Sequence, residues 1–209
     1  MKEIKLNLGC GQTGYPDWVN IDNSWSAIIS RWPRIRRLLW KTGVISKDSY
    51  EAVWPKNVER RDLSGRLGYP EGSVSKIYSS HMLEHMERST GENLLKECFR
   101  VLKKGGTFRL VVPDLAYHCR RYLEKTASGE SVGREPHDEL LFNLYGAYFN
   151  KKRSGAFHSY MYDWPTLHEL FKQIGFSKVT RQNYREGSDK ELFSLDSRPE
   201  DSLHVEAIK

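Results

Sequence analysis

The chain has 209 residues, of which 38% are apolar or aromatic and 29% are charged. That is enough for one compact domain burying roughly 70% of its unfolded-chain surface, and it excludes a disordered chain. The net charge of +6 favours anionic partners such as nucleic acid, acidic glycans or a lipid surface, although an excess of this size is also common on ordinary globular proteins.

Met1-Lys-Glu-Ile-Lys5 alternates charge with apolar residues, and no window approaches 18 uncharged apolar residues, so neither an export leader nor a membrane span is expected. The cysteines Cys10, Cys98 and Cys119 are scattered, with no CxxC pair. They suggest neither a disulfide framework nor a thiolate zinc site, and they fit a reducing cytoplasm.

Lys5 to Leu8 runs into Gly9-Cys10-Gly11 and predicts a buried strand followed by a tight loop. Trp18 to Ile21 predicts a second strand ending on Asp22. From Trp25 to Leu39 apolar residues recur at helical spacing among Arg31, Arg34, Arg36, Arg37 and Lys41. Pro33 should split this run into two short amphipathic helices, whose simplest role is to pack on the core with a solvated basic face.

Val58 to Leu63 and Lys76 to Ser80 read as third and fourth strands. Asn93 to Leu102 reads as a helix stopped at Lys103-Lys-Gly-Gly106, and Thr107 to Val112 as a strand ending at Pro113-Asp114. Leu115 to Phe157 is mixed and partly helical. Trp164 to Ile174 is predicted helical between Pro165 and Gly175, and Val179 to Asn183 and Leu203 to Ile208 are predicted late strands around a polar loop, Arg185 to Asp201. The expected fold is α/β, a doubly wound, mainly parallel, Rossmann-like sheet in a single domain, residues 1–209, with substrate-side helical insertions at 24–56 and 115–162.

In such sheets ligands bind beyond the carboxyl ends of the strands, which here carry Gly9-Cys10-Gly11, Asp22, Asp62, Ser80-His81 and Asp114. Glycines let a backbone approach a ligand closely, and an acid ending the second strand can accept both hydroxyls of a ribose. A nucleoside cofactor is thereby implied.

These residues resemble the class I methyltransferase family, whose glycine motif matches Leu6-Asn7-Leu8-Gly9-Cys10-Gly11. Ser79-Ser80-His81-Met82-Leu83-Glu84-His85 looks like its segment after strand four, and Leu94 to Val112 like its helix, paired-glycine turn and fifth strand; the match runs from about Lys5 to Pro113. The resemblance implies an enzyme that uses S-adenosyl-L-methionine. Asn7, Gly9, Cys10 and Gly11 would border the methionine part, Asp22 would hold the ribose, Asp62 and Leu63 would meet the adenine, and Ser80 and His81 would lie near the methyl group. Asn7 stands where the family usually has an acid, and Asp22 follows Gly11 by only eleven positions, too few for the usual intervening helix. Sequences with that shortened spacing look like methyltransferases associated with surface polysaccharide synthesis, which implies a small-molecule or glycan acceptor, with His81 or His85 as the base for an acceptor hydroxyl.

Other readings are weighed on the same residues. Gly9-Cys-Gly-Gln-Thr-Gly14 satisfies the GxGxxG dinucleotide pattern, which requires a helix starting at the last glycine. His81-Met-Leu-Glu-His85 satisfies HxxEH, a zinc hydrolase pattern that requires a sustained helix and a third ligand; the methyltransferase reading calls for no metal. A non-catalytic S-adenosylmethionine-binding module is a further alternative. No nucleic-acid motif is present. His118, His137, His158 and His168 read as surface or packing residues.

Overall fold

A computed structural model describes residues 3–129, 135–145, 157–199 and 201–209. Strands β1 (Ile4–Leu8), β2 (Val19–Asp22), β3 (Val58–Arg60), β4 (Val74–Ser80), β5 (Leu102–Pro113), β6 (Lys178–Gln182) and β7 (Ser202–Ile208) form one sheet in the order β3-β2-β1-β4-β5-β7-β6. β1 to β5 pair in parallel, and β7 runs antiparallel between β5 and β6. Leu8 is in register with Ile21 and Ser79, and Ser80 with Val111. The carboxyl ends of β1, β2 and β4 are therefore aligned on one edge, as a doubly wound sheet requires.

Period-two alternation gives the sheet two different faces. Leu6, Leu8, Ile21, Ile77, Phe108 and Leu110 point to the main core, where they meet Leu94, Leu95 and Cys98 of α4 (Arg88–Val101) and Leu167 and Phe171 of α7 (Trp164–Ile174). Leu95, Leu167 and Phe171 are fully buried, each worth about 1.5–3 kcal/mol of transfer free energy. α7 is bounded as expected: Asp163 Oδ1 accepts the Thr166 N–H at 3.0 Å, and Gly175 closes the helix at φ +114°.

α4 begins five residues before the expected start and hands over directly to β5, because Leu102 is already extended at φ −62°, ψ 136°. Lys103-Lys-Gly-Gly106 is thus not a helical stop. The β4–β5 register jumps from Val74↔Leu102 to Lys76↔Thr107, so those four residues form an outward bulge within β5.

The opposite face carries Lys5, Asn7, Asn20, Lys76, Tyr78 and Arg109, by the same alternation. Residues 183–199 cover it; most of this stretch was expected as part of the polar loop Arg185 to Asp201, but it contains α8 (Lys190–Phe193). Leu192 packs among Trp18, Tyr78 and Val111, Lys5 pairs with Glu191 at 2.5 Å and Lys76 with Asp189 at 2.6 Å. Arg109 forms a fully buried two-pronged pair with Asp196 and also donates to the carbonyls of Glu186 at 2.7 Å and Asn183 at 3.2 Å.

Pro33 separates α1 (Trp25–Ile29) from α2 (Pro33–Lys41) as expected, and a further helix, α3 (Lys47–Glu51), follows. The reading of this segment as core-packing fails for α2, which buries no residue; Trp32 is 61% exposed and Leu38 61%. α2 rests on α3 instead. Trp40 stacks on Tyr50 at 4.5 Å, and Arg36 donates to the carbonyls of Ser49 and Ala52. β3 ends at Arg60, short of the expected Leu63, because Asp62 starts a turn in which its Oδ1 accepts the Ser64 N–H at 2.9 Å. Of the segment 115–162, the structure describes α5 (Leu115–Ser128), α6 (Pro136–Tyr145) and residues 157–162; 130–134 and 146–156 lie outside the described residues.

Candidate cofactor site

The glycine loop leaves β1 with Gly9 at φ +66° and Gly11 at φ +53°, conformations that favour glycine. A Cβ on Gly9 would stand 2.2 Å from Met82 Cγ, whereas one on Gly11 would meet no atom within 4 Å. Gly9 is therefore required by packing, and Gly11 leaves open room beside the backbone.

Asn7 explains its own departure from the acid of the resembled motif. Its Nδ2 donates to Thr13 O and to Asn20 Oδ1, both at 3.0 Å, and a carboxylate could donate neither bond. Asn20 in turn accepts the Tyr15 N–H at 3.0 Å, so two buried amides hold the loop that stands in place of a helix between β1 and β2.

Asp22, at the end of β2, accepts the Gly11 N–H on Oδ2 at 2.9 Å and the Ser24 N–H on Oδ1 at 2.7 Å. One lone pair on each oxygen remains for a ligand. Asp22 stands behind the glycine loop and is not itself among the residues lining the cleft beside that loop, whereas Cys10 is. Cys10 also packs on Ala27 and Val58, and burial, with the Asp22 charge, pushes its thiol up to about 12, so it is a packing group and no nucleophile.

Asn7, Gly9, Cys10, Gly11, Ser80 and His81 line one cleft. Asp62 sits exposed in its turn, its carboxyl held below the ordinary range by the Ser64 hydrogen bonds, and Leu63 is buried in the main core. Sequence reasoning missed the other wall: Tyr15, Tyr78, Leu195, Ser197 and Arg198. The hydroxyls of Tyr78 and Tyr15 donate to Leu195 O at 3.0 Å and 3.2 Å, which holds the 195–198 stretch over the glycine loop. The readable signal was Arg109 inside an apolar strand, which demanded a buried partner somewhere in the chain.

His81 follows β4 at φ +51°, a conformation costly for a residue with a Cβ and tolerated mainly at functional sites. Its N–H donates to Val111 O at 2.9 Å, tying the strained residue to β5. The Ser202 hydroxyl donates to Asp201 Oδ1 at 3.1 Å and so accepts from His81 Nε2 at 2.9 Å, leaving Nδ1 as the unprotonated nitrogen, 3.5 Å from Glu84 Oε1. Burial, reinforced by the Arg198 cation, lowers the His81 pKa to about 4, so the ring is neutral at neutral pH.

His85 does not line this cleft. It belongs to a single 3-10 turn, Leu83–His85, and its Nδ1 meets Phe157 O at 2.9 Å. Glu84 in that turn is 1% exposed, and burial raises its pKa to about 8. Asp114 is structural: it caps α5 through Ala116 N at 3.0 Å and pairs with Arg181 at 2.8 Å.

Two alternatives weighed on the sequence lack the helix each requires. No helix starts at Gly14; residues 11–18 are turn and coil before β2, so the dinucleotide motif lacks its essential element. The HxxEH segment likewise has no sustained helix: His81 turns to Ser202 and His85 to Phe157, so the two histidines do not share a helical face.

The description "Methyltransferase domain" fits residues 37–110 in a comparison with family models. That span covers α2 through most of β5 and does not reach the glycine loop or Asp22. No curated protein matches the chain. Among solved structures, a SAM-dependent methyltransferase from Archaeoglobus fulgidus is 14% identical with a TM-score of 0.56, covering 99% of this chain and 86% of that one. An S-adenosylmethionine-dependent methyltransferase from Mesorhizobium loti is 17% identical with a TM-score of 0.55, covering 100% and 91%. A SAM-dependent methyltransferase from Methanosarcina mazei is 17% identical with a TM-score of 0.52, covering 100% and 92%. At these identities the likeness is one of fold. Residues 37–110 are thus similar to a methyltransferase domain, and the chain shares the fold of S-adenosylmethionine-dependent methyltransferases; both findings support an enzyme that uses S-adenosylmethionine.

Proposed function

We propose that this methyltransferase acts on a hydroxyl of a small-molecule or glycan acceptor, in surface polysaccharide synthesis. The observation that carries the reading is His81, a neutral imidazole in the wall of the cofactor cleft whose unprotonated Nδ1 makes no hydrogen bond among the described residues and lies 3.5 Å from Glu84 Oε1. The glycan class is supported by the resemblance noted for the short glycine-to-acid spacing, here bridged by coil.

The main chain of Gly9, Cys10 and Gly11, steadied by Asn7, would border the methionine moiety, and Arg198 would meet its carboxylate. Asp22 would accept the ribose hydroxyls, Asp62 would stand at the adenine end with Leu63 holding that turn to the core, and Ser80 and His81 would flank the reacting centre. S-adenosylmethionine supplies an electrophilic methyl group: the acceptor oxygen forms the new C–O bond, and the departing sulfur keeps the electron pair of the broken C–S bond. His81 Nδ1 takes the acceptor proton late, once transfer has made it acidic, which a weak base can do. His85, outside the cleft, is assigned no proton transfer. The segments 24–56 and 115–162 would recognise the acceptor, and the free cysteines suit a cytoplasmic setting. Supplied with S-adenosylmethionine labelled at the methyl group, the protein should place label on a sugar or small-molecule hydroxyl; label appearing only on amines or RNA would overturn the acceptor class, and cofactor binding without transfer to any acceptor would favour the binding-module alternative.

No helix among the described residues is long and apolar enough to cross a membrane, and α2 supports a peripheral contact instead. Trp32, Ile35 and Leu38 form an exposed apolar strip beside the exposed cations Arg34, Arg37 and Lys41, the pattern of a helix lying on anionic lipid. Vesicles containing phosphatidylglycerol should sediment the protein, and Trp32→Ser with Leu38→Ser should reduce that by about tenfold. Equal sedimentation with uncharged vesicles would contradict the electrostatic part, and none with either would contradict the contact.

A further inference from the structure

The turn after β4 holds a group that methyl transfer does not use. The Glu84 carboxylate is 1% exposed, yet neither oxygen has a hydrogen-bond partner among the described residues. Burying a carboxylate without donors is costly, and buried charges are normally paired or coordinate a metal. The groups near it are imidazoles: His81 Nδ1 at 3.5 Å and His85 Nε2 at 3.9 Å from Oε1. One donor atom each from Glu84, His85 and His158 lie within 4.8 Å of one another.

The tautomers of these two histidines are set from behind. His85 Nδ1 lies 2.9 Å from Phe157 O and His158 Nδ1 lies 3.0 Å from Asn143 O. A carbonyl only accepts, so each Nδ1 carries the proton and each Nε2 presents a lone pair. A metal-binding histidine is ordinarily prepared in this way, its second nitrogen donating to a carbonyl. The backbone is fixed as well: Glu84 O accepts the N–H groups of Ser159 at 2.7 Å and Tyr160 at 3.1 Å, and Ser159 Oγ donates to His85 O at 3.1 Å. The coil segment bearing His158 is thereby stitched to the turn bearing Glu84 and His85, although they lie more than 70 positions apart in the chain.

We propose that Glu84, His85 and His158 bind a divalent first-row transition-metal ion of the zinc type. Two imidazoles and one carboxylate suit zinc, cobalt or iron(II) far better than magnesium or calcium, which prefer all-oxygen shells. Three protein donors leave positions open for water or another ligand, and the half-exposed His85 side chain, 30% accessible, gives an ion a way in. This is a different arrangement from the HxxEH helix, since His81 faces Ser202 and the third donor comes from residue 158. The inference does not depend on methyl transfer, and its test needs no turnover.

The experiment uses tag-free, full-length protein stripped with chelator and titrated with cobalt(II), followed by visible ligand-field absorption, and with zinc(II), followed by calorimetry. The expected result is one equivalent of each ion bound, with cobalt bands characteristic of a low-coordinate nitrogen and oxygen shell. Glu84→Gln and His158→Ala should each weaken zinc binding by at least tenfold, while S-adenosylmethionine binding and the melting transition report that the variants are folded. His85→Asn serves as a third variant should either of the others fail to fold. Absence of cobalt bands and zinc heat in the unaltered protein, or binding undiminished in the folded variants, would overturn the proposal.

Discussion

Arg109→Ala is expected to destabilise the protein by about 3–5 kcal/mol, a fall of roughly 10 °C in melting temperature for a chain of this size. The side chain is 0% exposed in the middle of β5 and neutralises two buried carboxylates, Asp196 through a two-pronged pair and Glu206 at 3.9 Å. Removing the cation leaves both in a low-dielectric interior with no compensating charge, and it deletes the donors to Glu186 O and Asn183 O. Leu195 and Arg198, which wall the cleft, lie on the loop so anchored, so S-adenosylmethionine affinity should fall with stability. Replacing the pair together, with Arg109→Met and Asp196→Leu, should recover part of the stability but not the affinity, because an apolar pair of similar volume removes the unpaired Asp196 charge while Glu206 still lacks its cation and the loop is less firmly placed. Denaturant unfolding of the three proteins checks this; a loss under about 1 kcal/mol for Arg109→Ala would mean that the loop is held by its apolar contacts alone.

The second large effect is expected on turnover. His81→Gly removes the imidazole and at the same time relieves a left-handed backbone, φ +51°, that glycine adopts freely. The folded state should therefore be no less stable than the parent, while kcat falls by about 10²–10⁴-fold, the usual contribution of a positioned acid or base. The affinity for S-adenosylmethionine should change by only a few-fold, since main-chain groups and Asp22 are the groups proposed to carry most of that site. His81→Asn, which also tolerates this conformation, separates the two roles: it restores part of the side-chain bulk and polarity but no base. Single-turnover rates within threefold of the parent in both variants would remove His81 from the proton transfer.

The sheet was legible because its strands are short apolar, β-branched runs punctuated by glycine, and the edge that gathers Gly9, Gly11, Asp22, Ser80 and His81 follows from strand order. The boundary errors have local causes: Lys103-Lys-Gly-Gly106 looks like a helix stop in one dimension but is absorbed as a bulge paired across β4. The larger miss was two-sidedness. Lys5, Asn7, Lys76 and Arg109 alternate with apolar neighbours, and read together they announce a polar sheet face needing an acidic cover, supplied by Asp189, Glu191 and Asp196 roughly 90 to 190 positions later. Such pairings are contacts of the folded chain and leave no periodic trace. α2 was misread for the converse reason: helical spacing reports that an apolar face exists, not what covers it. The grouping of Glu84 and His85 with His158 was likewise invisible, because HxxEH suggested a helix and the third donor is set by chain return.

The claim on which the rest depends is that the cleft between the glycine loop and residues 195–198 holds S-adenosylmethionine with Asp22 as its ribose anchor. Calorimetric titration of the purified protein with S-adenosylmethionine, alongside Asp22→Ala, tests it most directly. Saturable binding of one equivalent, weakened at least tenfold in a folded Asp22→Ala variant through loss of a charge-assisted hydrogen-bond acceptor, is the predicted result. No heat with the unaltered protein, or affinity unchanged in the variant, would contradict it.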